Sequence, residues 1–112
     1  MKVLVCGGRD YNDYETTRRI LSRLRIETII HGGARGADSL GERYATENNI
    51  DVLSFPARWE EYGRSAGAIR NAEMLREGTP DLVVAFPGGK GTANMIKQAK
   101  EAGVSVYEVS AS

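Results

Sequence analysis

The chain has 112 residues, of which 15 are basic and 15 are acidic. This length suits one domain and leaves little room for a second, so we expect a single domain over residues 1–112. The balanced charge excludes the net basic field that drives nonspecific nucleic-acid binding, and it argues against a specific nucleic-acid partner as well. A single cysteine, Cys6, excludes an internal disulfide framework and a cysteine-based zinc site.

No apolar segment approaches the roughly 20 residues that a membrane-spanning helix needs. The apolar start, Val3 to Val5, is also far too short for a signal peptide. We therefore expect a cytoplasmic protein without a membrane partner. Cys6 ends this first apolar run, which favours a buried strand cysteine over a reactive thiol.

Apolar, strand-like runs alternate with helical patterns along the chain. The predicted strands cover residues 2–6, 28–31, 51–55, 81–85 and 104–109. The predicted helices begin at Asn12 or Asp13, at Gly36, after Ser65 and near Thr92, and they end near Leu24, Asn48, Glu77 and Ala102. In the first helix, Glu15 follows Asn12 at the spacing of a capping box. Residues 56–64 show no clear period.

The first strand, residues 2–6, is continuously apolar, which is typical of a strand buried on both faces of a parallel sheet. Alternating strands and helices on this scale predict an α/β fold, a single Rossmann-like three-layer domain with a five-stranded parallel sheet. Because crossovers are right-handed, we expect the strand order 3-2-1-4-5, with a switch point between strands 1 and 4. Ligands of such sheets bind at the carboxyl ends of the strands beside that point.

Glycine-rich loops follow strands 1, 2 and 4, at residues 7–10, 31–36 and 87–92, and the predicted topology brings all three to one rim. After strand 4, we expect the amides from Gly89 to Thr92, the Thr92 hydroxyl and the positive end of the last helix to hold a phosphate. The alternative is a tight strand-to-helix turn. The loop is not a P-loop, because its lysine lies between the glycines.

The other two loops carry groups suited to the same ligand. Residues 32–38 could offer a second set of amides, with Arg35 supplying a charge. Asp38 could hold a ribose hydroxyl or stabilise the start of the second helix. Arg9 suits an anion because of its planar fork of donors, and Asp10 could orient Arg9 or accept from a sugar. An ordinary exposed loop is the alternative for residues 7–10.

A third polar group opens the third helix. Arg70 and Asn71 would contact a phosphate and a base or ribose if they face the rim, and would otherwise form a solvated helix face. Gly67 thins the helix and lets a ligand approach. Trp59 could stack on a base or cover the helix ends. His31, the one histidine, is either a hydrogen-bonded structural group or a base.

The predicted ligand-binding residues thus come from all three loops and from this helix. They are Gly7, Gly8, Arg9, Asp10, His31, Gly32, Gly33, Arg35, Gly36, Asp38, Trp59, Arg64, Gly67, Arg70, Asn71, Phe86, Pro87, Gly88, Gly89, Gly91 and Thr92. No cluster of His, Asp and Glu residues predicts a metal site. No cofactor is expected apart from a nucleotide-like ligand.

Segments along most of the chain together resemble one family. They are Gly7–Asp10, His31–Asp38, Trp59–Gly67, Ile69–Asn71 with Met74, and Phe86–Thr92. In this order they resemble the small YspA-type family, related to YpsA, within the SLOG superfamily, whose name joins the DNA-processing Smf/DprA proteins to the LOG enzymes. The resemblance covers about residues 2–109. It implies a Rossmann-like domain that binds nucleotides or nucleotide-derived ligands.

The resemblance also bears on catalysis. LOG enzymes are phosphoribohydrolases that release a base from a nucleoside monophosphate, with a motif that resembles P-G-G-x-G-T-x-x-E and an arginine on the preceding helix. Arg70 and residues 87–92 match, whereas Met95 and Ile96 stand where LOG proteins have acidic residues. A carboxylate at this point would activate water or stabilise a developing positive charge. Glu73, one turn beyond Arg70, is a substitute that the sequence offers.

The sequence and the resemblance together predict a module that binds a nucleotide or nucleotide-derived ligand at the carboxyl edge of the sheet. A sensor or sequestering role fits the conflict systems and phages in which such proteins occur. One alternative is a LOG-like hydrolase of a nucleotide N-glycosidic bond, with Arg70 and Glu73 as its catalytic residues. Another is a DNA-binding accessory resembling Smf/DprA, against which the neutral charge counts. The small size and the sheet edges favour a homodimer.

Overall fold

The computed structural model describes residues 1–110, and residues 111 and 112 of the predicted domain lie outside the described residues. The strands are β1 (Lys2–Cys6), β2 (Thr28–His31), β3 (Asp51–Ser54), β4 (Leu82–Ala85) and β5 (Ser105–Glu108). The α-helices are α1 (Tyr14–Leu21), α2 (Ala37–Glu47), α3 (Trp59–Tyr62), α4 (Ala66–Gly78) and α5 (Lys90–Glu101). Over residues 1–110, none of these helices combines the length and the apolar character that crossing a membrane requires.

The sheet is parallel throughout, in the order β3-β2-β1-β4-β5, which confirms the predicted topology. β1 is central, because Leu4 pairs with Ile30 of β2 on one side and with Val83 of β4 on the other. Val3, Leu4 and Val5 are fully buried, as expected of a strand covered on both faces. The strand order reverses between β1 and β4, so the carboxyl ends of these two strands form the switch point.

Each face of the sheet carries its own core. Alternate residues of β1 point to opposite faces, so Val5 shares one core with Leu21 of α1 and Ala45 of α2. Cys6 shares the other core with residues of α4 and α5 that include Met95. The helices therefore form two layers around the sheet. The buried position of Cys6 agrees with the prediction of a strand cysteine.

Helix α1 differs from its prediction at both ends. Asp13 is the N-cap, and its carboxylate accepts the N–H three residues ahead at 3.0 Å. Glu15 forms an ion pair with Arg18 instead of closing a capping box. The helix ends at Leu21 rather than near Leu24, because the N–H groups of Arg23 and Leu24 bond to carbonyls three residues back instead of four.

Helix α5 begins at Lys90, two residues before the predicted start, because the carbonyl of Gly89 accepts the N–H of Ala93 at 3.0 Å. The segment 56–64, which shows no period in the sequence, contains α3 and part of a 3₁₀ turn over Gly63–Ser65. The earlier start of α5 matters for the site, since it moves the first turn of the helix into the glycine-rich loop.

The predicted starts of α2 and α4 agree with the structure to within one residue. Gly36 is the N-cap of α2 and Ser65 the N-cap of α4, and neither makes a side-chain capping bond. The first amide of α2, at Ala37, donates to the carbonyl of Gly8 at 3.1 Å. This bond ties the start of α2 to the loop after β1.

Candidate functional site

A cleft of about 640 Å³ opens at the switch point of the sheet. Its walls come from the loop after β1 (residues 7–10, the β1 loop), from α3 and α4, and from the loop after β4 (residues 86–92, the β4 loop), which runs into α5. A recess of about 400 Å³, lined by the loop after β2 (residues 31–38, the β2 loop), adjoins it. Both volumes are typical of small-molecule sites. The predicted residues that line these spaces are Gly7, Gly8, Arg9, Gly32, Gly33, Arg35, Asp38, Trp59, Arg64, Gly67, Arg70, Asn71, Gly89, Gly91 and Thr92.

The start of α5 presents unpaired backbone donors to the cleft. Within residues 1–110, the N–H groups of Lys90, Gly91 and Thr92 make no hydrogen bond. These are the free amides of a helix N-terminus, where the helix dipole adds a partial positive charge. A Cβ placed on Gly89 or Gly91 would meet nothing within 4 Å, so the space in front of them is open. The geometry can receive an anion here.

The β1 and β4 loops are locked together beneath this point. The N–H of Gly8 donates to the carbonyl of Pro87 at 2.9 Å. A Cβ on Gly88 would lie 2.6 Å from the Gly8 nitrogen, so only glycine fits there. Phe86 is buried and stacks on Tyr11, with 5.1 Å between the ring centroids. Phe86, Pro87 and Gly88 therefore join the loops and do not line the cleft.

The first amides of the β2 loop, at Gly32, Gly33 and Ala34, are bound by side chains of the same loop. Oδ2 of Asp38 accepts the N–H of Gly32 at 3.1 Å and that of Ala34 at 3.2 Å. Of the second set of amides predicted from the sequence, those of Gly32 and Ala34 are thus already bound by a carboxylate of the same chain. Burial raises the pKa of Asp38, against the opposing effects of the Ala34 amide, of His31 and of Arg70.

His31 is a structural group of the same loop. Its Nδ1 accepts the N–H of Gly33 at 2.9 Å. Its Nε2 lies 2.8 Å from the Glu42 carboxylate and is therefore the ring nitrogen that carries the proton. Gly36 has φ of +80°, and a Cβ there would collide with the carbonyl of Gly8. His31 and Gly36 therefore support the conformation of the β2 loop and line neither the cleft nor the adjoining recess.

Basic side chains dominate the charge of the cleft, which is lined by Arg9, Arg64, Arg70 and Lys90. Within residues 1–110, none of these four lies within 4.0 Å of a carboxylate. Among the described residues, Asp38 is the one acidic residue that lines the cleft, and its carboxylate already accepts hydrogen bonds from two backbone amides. The cleft is therefore locally positive although the whole chain is neutral.

Trp59 forms an exposed edge of the cleft. Its side chain is 50% exposed, and the guanidinium of Arg9 lies 5.8 Å from its ring centroid in a cation–π contact. An exposed indole beside a positive cleft can stack on a base. Asp10 does not orient Arg9; its side chain is 96% exposed and pairs with Arg35 at 3.5 Å.

Arg70 links the two sides of the cleft. Its Nη1 donates to the carbonyl of Gly32 at 2.5 Å, and its Nε donates to Oδ1 of Asn71 at 3.1 Å. Asn71 in turn donates to the carbonyl of Gly91 at 3.3 Å and to Oδ1 of Asn94 at 3.0 Å. One chain of hydrogen bonds thus runs from the end of β2 through α4 to α5. It fixes the position of Arg70 in the cleft.

The floor of the cleft is apolar and includes Cys6, Met74 and Met95, all buried. Burial raises the pKa of the Cys6 thiol to about 12, so the thiol is protonated and unreactive at neutral pH. Met95 is the floor residue that the resemblance aligns with the acidic position of the LOG motif. Glu73 does not line the cleft, and its carboxylate lies 3.2 Å from the Arg58 guanidinium.

Two polar side chains of the cleft, those of Lys90 and Asn94, are absent from the sequence-based prediction. Both lie at the start of α5, four residues apart and hence on one face of the helix. If the sequence analysis had started the helix at Lys90, the spacing of four residues would have placed Asn94 on the same face and predicted it as a cleft residue. Alanines that line the cleft, such as Ala34 and Ala68, have no functional group by which the sequence could identify them as site residues.

Comparisons with known proteins agree with the resemblance seen in the motifs. A family model described as YAcAr, the YspA, cpYpsA-related SLOG family, matches residues 1–62. The Gene 61 protein of Mycobacterium phage D29 is 35% identical over 117 residues, an alignment that covers 94% of this chain and 93% of that protein. The chain therefore belongs to the YspA, cpYpsA-related SLOG family.

Proposed function

We propose that this protein binds a nucleotide or a nucleotide-derived ligand in the cleft at the switch point, as a sensor or a sequestering module. The observation that carries the proposal is the excess of positive charge there. Four basic side chains and the free amides of α5 face one cleft, and the carboxylate that lines it is already hydrogen-bonded. Unneutralised cations around a cavity of this size favour an anionic small molecule.

The start of α5 is the proposed phosphate site. Lys90, Gly91 and Thr92 line the cleft, their amides are unpaired within residues 1–110, and a Cβ on Gly91 would meet open space. Backbone amides, the helix dipole and a lysine together stabilise a phosphate without any further group. Trp59 and the apolar floor then offer a surface for the base or another ring.

The same geometry favours binding over hydrolysis of the N-glycosidic bond. A hydrolase needs a carboxylate that can activate water or stabilise positive charge at the sugar. Met95 stands at the LOG glutamate position, and Glu73 is engaged with Arg58 outside the cleft. The hydrolase alternative predicts release of free base from a nucleoside monophosphate, with loss of that release in Arg70→Ala or Glu73→Gln.

The proposal is tested by mass spectrometry of small molecules that copurify with the protein, followed by a thermal-shift panel of nucleotides. A ligand that binds only the folded state must raise Tm, by several degrees once its concentration far exceeds Kd. Lys90→Ala should abolish most of the shift. Lys97→Ala removes the same charge from the same helix outside the cleft and should keep it.

Two outcomes of these experiments would contradict the proposed site. If no nucleotide near millimolar concentration shifts Tm, or if Lys97→Ala weakens binding as much as Lys90→Ala, the proposed site is wrong. The cytoplasmic location and the homodimer also remain predictions. Sedimentation velocity of the purified protein tests the second of them.

A further inference from the structure

The recess of about 400 Å³ beside the β2 loop, which we call the β2 recess, differs from the main cleft in the charge of its walls. Arg9, Arg35 and Arg70 line it, and within residues 1–110 no acidic residue does. Asp38 lines the main cleft only. The walls of the β2 recess therefore carry three positive charges and, over the described residues, no negative charge that compensates them.

Arg70 keeps donors that the protein itself does not use. Its Nε donates to Oδ1 of Asn71 and its Nη1 to the carbonyl of Gly32, whereas its Nη2 makes no hydrogen bond within residues 1–110. Burial lowers the pKa of this guanidinium, the charge of Asp38 raises it, and the charge of Arg9 lowers it again. An anion in the β2 recess would accept the free donors and offset the repulsion between the two arginines.

The other two arginines are available to the same anion. Arg9 lies farther than 4.0 Å from every carboxylate of residues 1–110. Arg35 pairs with Asp10 at 3.5 Å, but these side chains are 75% and 96% exposed. An ion pair so exposed is screened by salt and contributes little, so an anion in the recess can replace Asp10 as the partner of Arg35.

The backbone of the β2 loop adds two further donors. Side chains of the loop accept its first three amides, but the next two N–H groups, those of Arg35 and Gly36, make no hydrogen bond within residues 1–110. Arg35 itself lines the recess. Free backbone amides beside guanidinium groups are donors that phosphate oxygens accept in proteins.

We propose that the β2 recess is a second anion site, which takes a phosphate group held by Arg9, Arg35 and Arg70 together with the free amides of Arg35 and Gly36. It is separate from the proposed phosphate site at the start of α5, because Lys90 and the two residues after it line only the main cleft. The inference goes beyond the proposed function. Its phosphate has two sources, a second phosphate on the bound nucleotide or a separate phosphate ion.

Titration of the ¹⁵N-labelled protein with inorganic phosphate, at an ionic strength held constant with sodium chloride, tests the site. The amides of Arg35 and Gly36 should show saturable shifts. Arg35→Gln should weaken the Kd read from them about tenfold, since it removes a charge-assisted contact. Arg23→Gln is the matched control, because it removes the same charge from an exposed position outside both spaces and should leave that Kd unchanged. In Lys90→Ala these shifts should persist while those at the start of α5 weaken.

AMP and adenosine 3′,5′-bisphosphate then identify the source of the phosphate. If the bisphosphate shifts the amides of both sites with one Kd, about tenfold tighter than that of AMP, the occupant is a second phosphate of the nucleotide. If inorganic phosphate still shifts Arg35 and Gly36 in the presence of saturating AMP, the occupant is a separate ion. Either result supports the second site.

Three results would overturn it. The amides of Arg35 and Gly36 would not respond to phosphate, or they would shift equally with chloride at the same ionic strength, or Lys90→Ala would remove their shifts together with those of α5. The failure of the proposed function looks different. In that case no nucleotide binds, while Arg35 and Gly36 still respond to inorganic phosphate.

Discussion

The β2 and β4 loops look alike in sequence and differ in what they can bind. Each follows a strand, contains several glycines and leads into a helix. In the β4 loop, the amides of Lys90, Gly91 and Thr92 have no acceptor among residues 1–110. In the β2 loop, the amides of Gly32 and Ala34 are bound by the chain itself.

The carboxylate of Asp38 accounts for this difference between the amides of the two loops. Asp38 is the second residue of α2 and its carboxylate binds the β2 loop, whereas the second residue of α5 is Gly91, which has no side chain. An anionic side chain near a helix start satisfies the free amides that an anionic ligand would otherwise bind. Glycine content therefore identifies a loop that can approach a phosphate, and the neighbouring acidic residues decide whether its amides are free.

The largest effect should come from removing the acceptor of the β2 loop. Asp38→Ala leaves the amides of Gly32 and Ala34 without a partner, and unsatisfied buried groups cost about 1–3 kcal/mol each. We expect the free energy of unfolding to fall by about 2–4 kcal/mol. Urea denaturation measures the change.

Asp38→Asn is the matched control, because its side-chain oxygen can still accept both amides. It should lose clearly less stability than Asp38→Ala. Equal losses in the two variants would mean that the carboxylate holds the loop by its charge alone, and the hydrogen-bond account of the β2 loop would be wrong.

The next largest effect should come from narrowing the β4 loop. Gly91→Ala adds a methyl group that meets no atom of the protein within 4 Å but lies where the proposed phosphate binds. AMP affinity should fall about tenfold, the equivalent of 1.4 kcal/mol. Thermal stability without ligand should hold or rise, since alanine favours a helix over glycine by up to about 1 kcal/mol.

This variant therefore separates binding from folding. Calorimetry gives the affinity and thermal unfolding gives the stability of the same sample. Unchanged AMP affinity in a folded Gly91→Ala protein would move the phosphate away from α5.

A smaller effect is expected in the pH dependence of the free energy of unfolding. Because burial raises the pKa of Asp38 above its usual 3.8, the folded state binds this proton more tightly than the unfolded state does. Ionising Asp38 thus costs stability, and its contribution falls as pH rises from 3.8 through the folded-state pKa. The difference in unfolding free energy between wild type and Asp38→Asn should decline over that range. A difference that grows with pH would contradict the raised pKa.

The fold was predictable because its signals are local and repeated. A continuously apolar β1 requires two covered faces, and alternating helices supply them. Right-handed crossovers then leave few strand orders, of which the observed one is the simplest. Element ends were less accurate, as at Leu21 and Lys90, because single turn bonds decide them.

The sequence predicted where the site lies, but not the contacts that its individual residues make. Glycine and arginine positions located the rim, and Arg9, Arg70 and Gly91 do line the cleft. The sequence could not show that Gly36 is needed to avoid the carbonyl of Gly8, or that His31 would bind the loop amide rather than face the cleft. Those facts depend on distances between segments that only the folded chain brings together.

Amide chemical shifts test the contrast between the two loops most directly. In a titration of the ¹⁵N-labelled protein with AMP, the amides of Lys90, Gly91 and Thr92 should show the largest saturable shifts. Those of Gly32 and Ala34 should change little, because Asp38 already holds them. Large shifts at Gly32 and Ala34 with unmoved amides at the start of α5 would contradict the account.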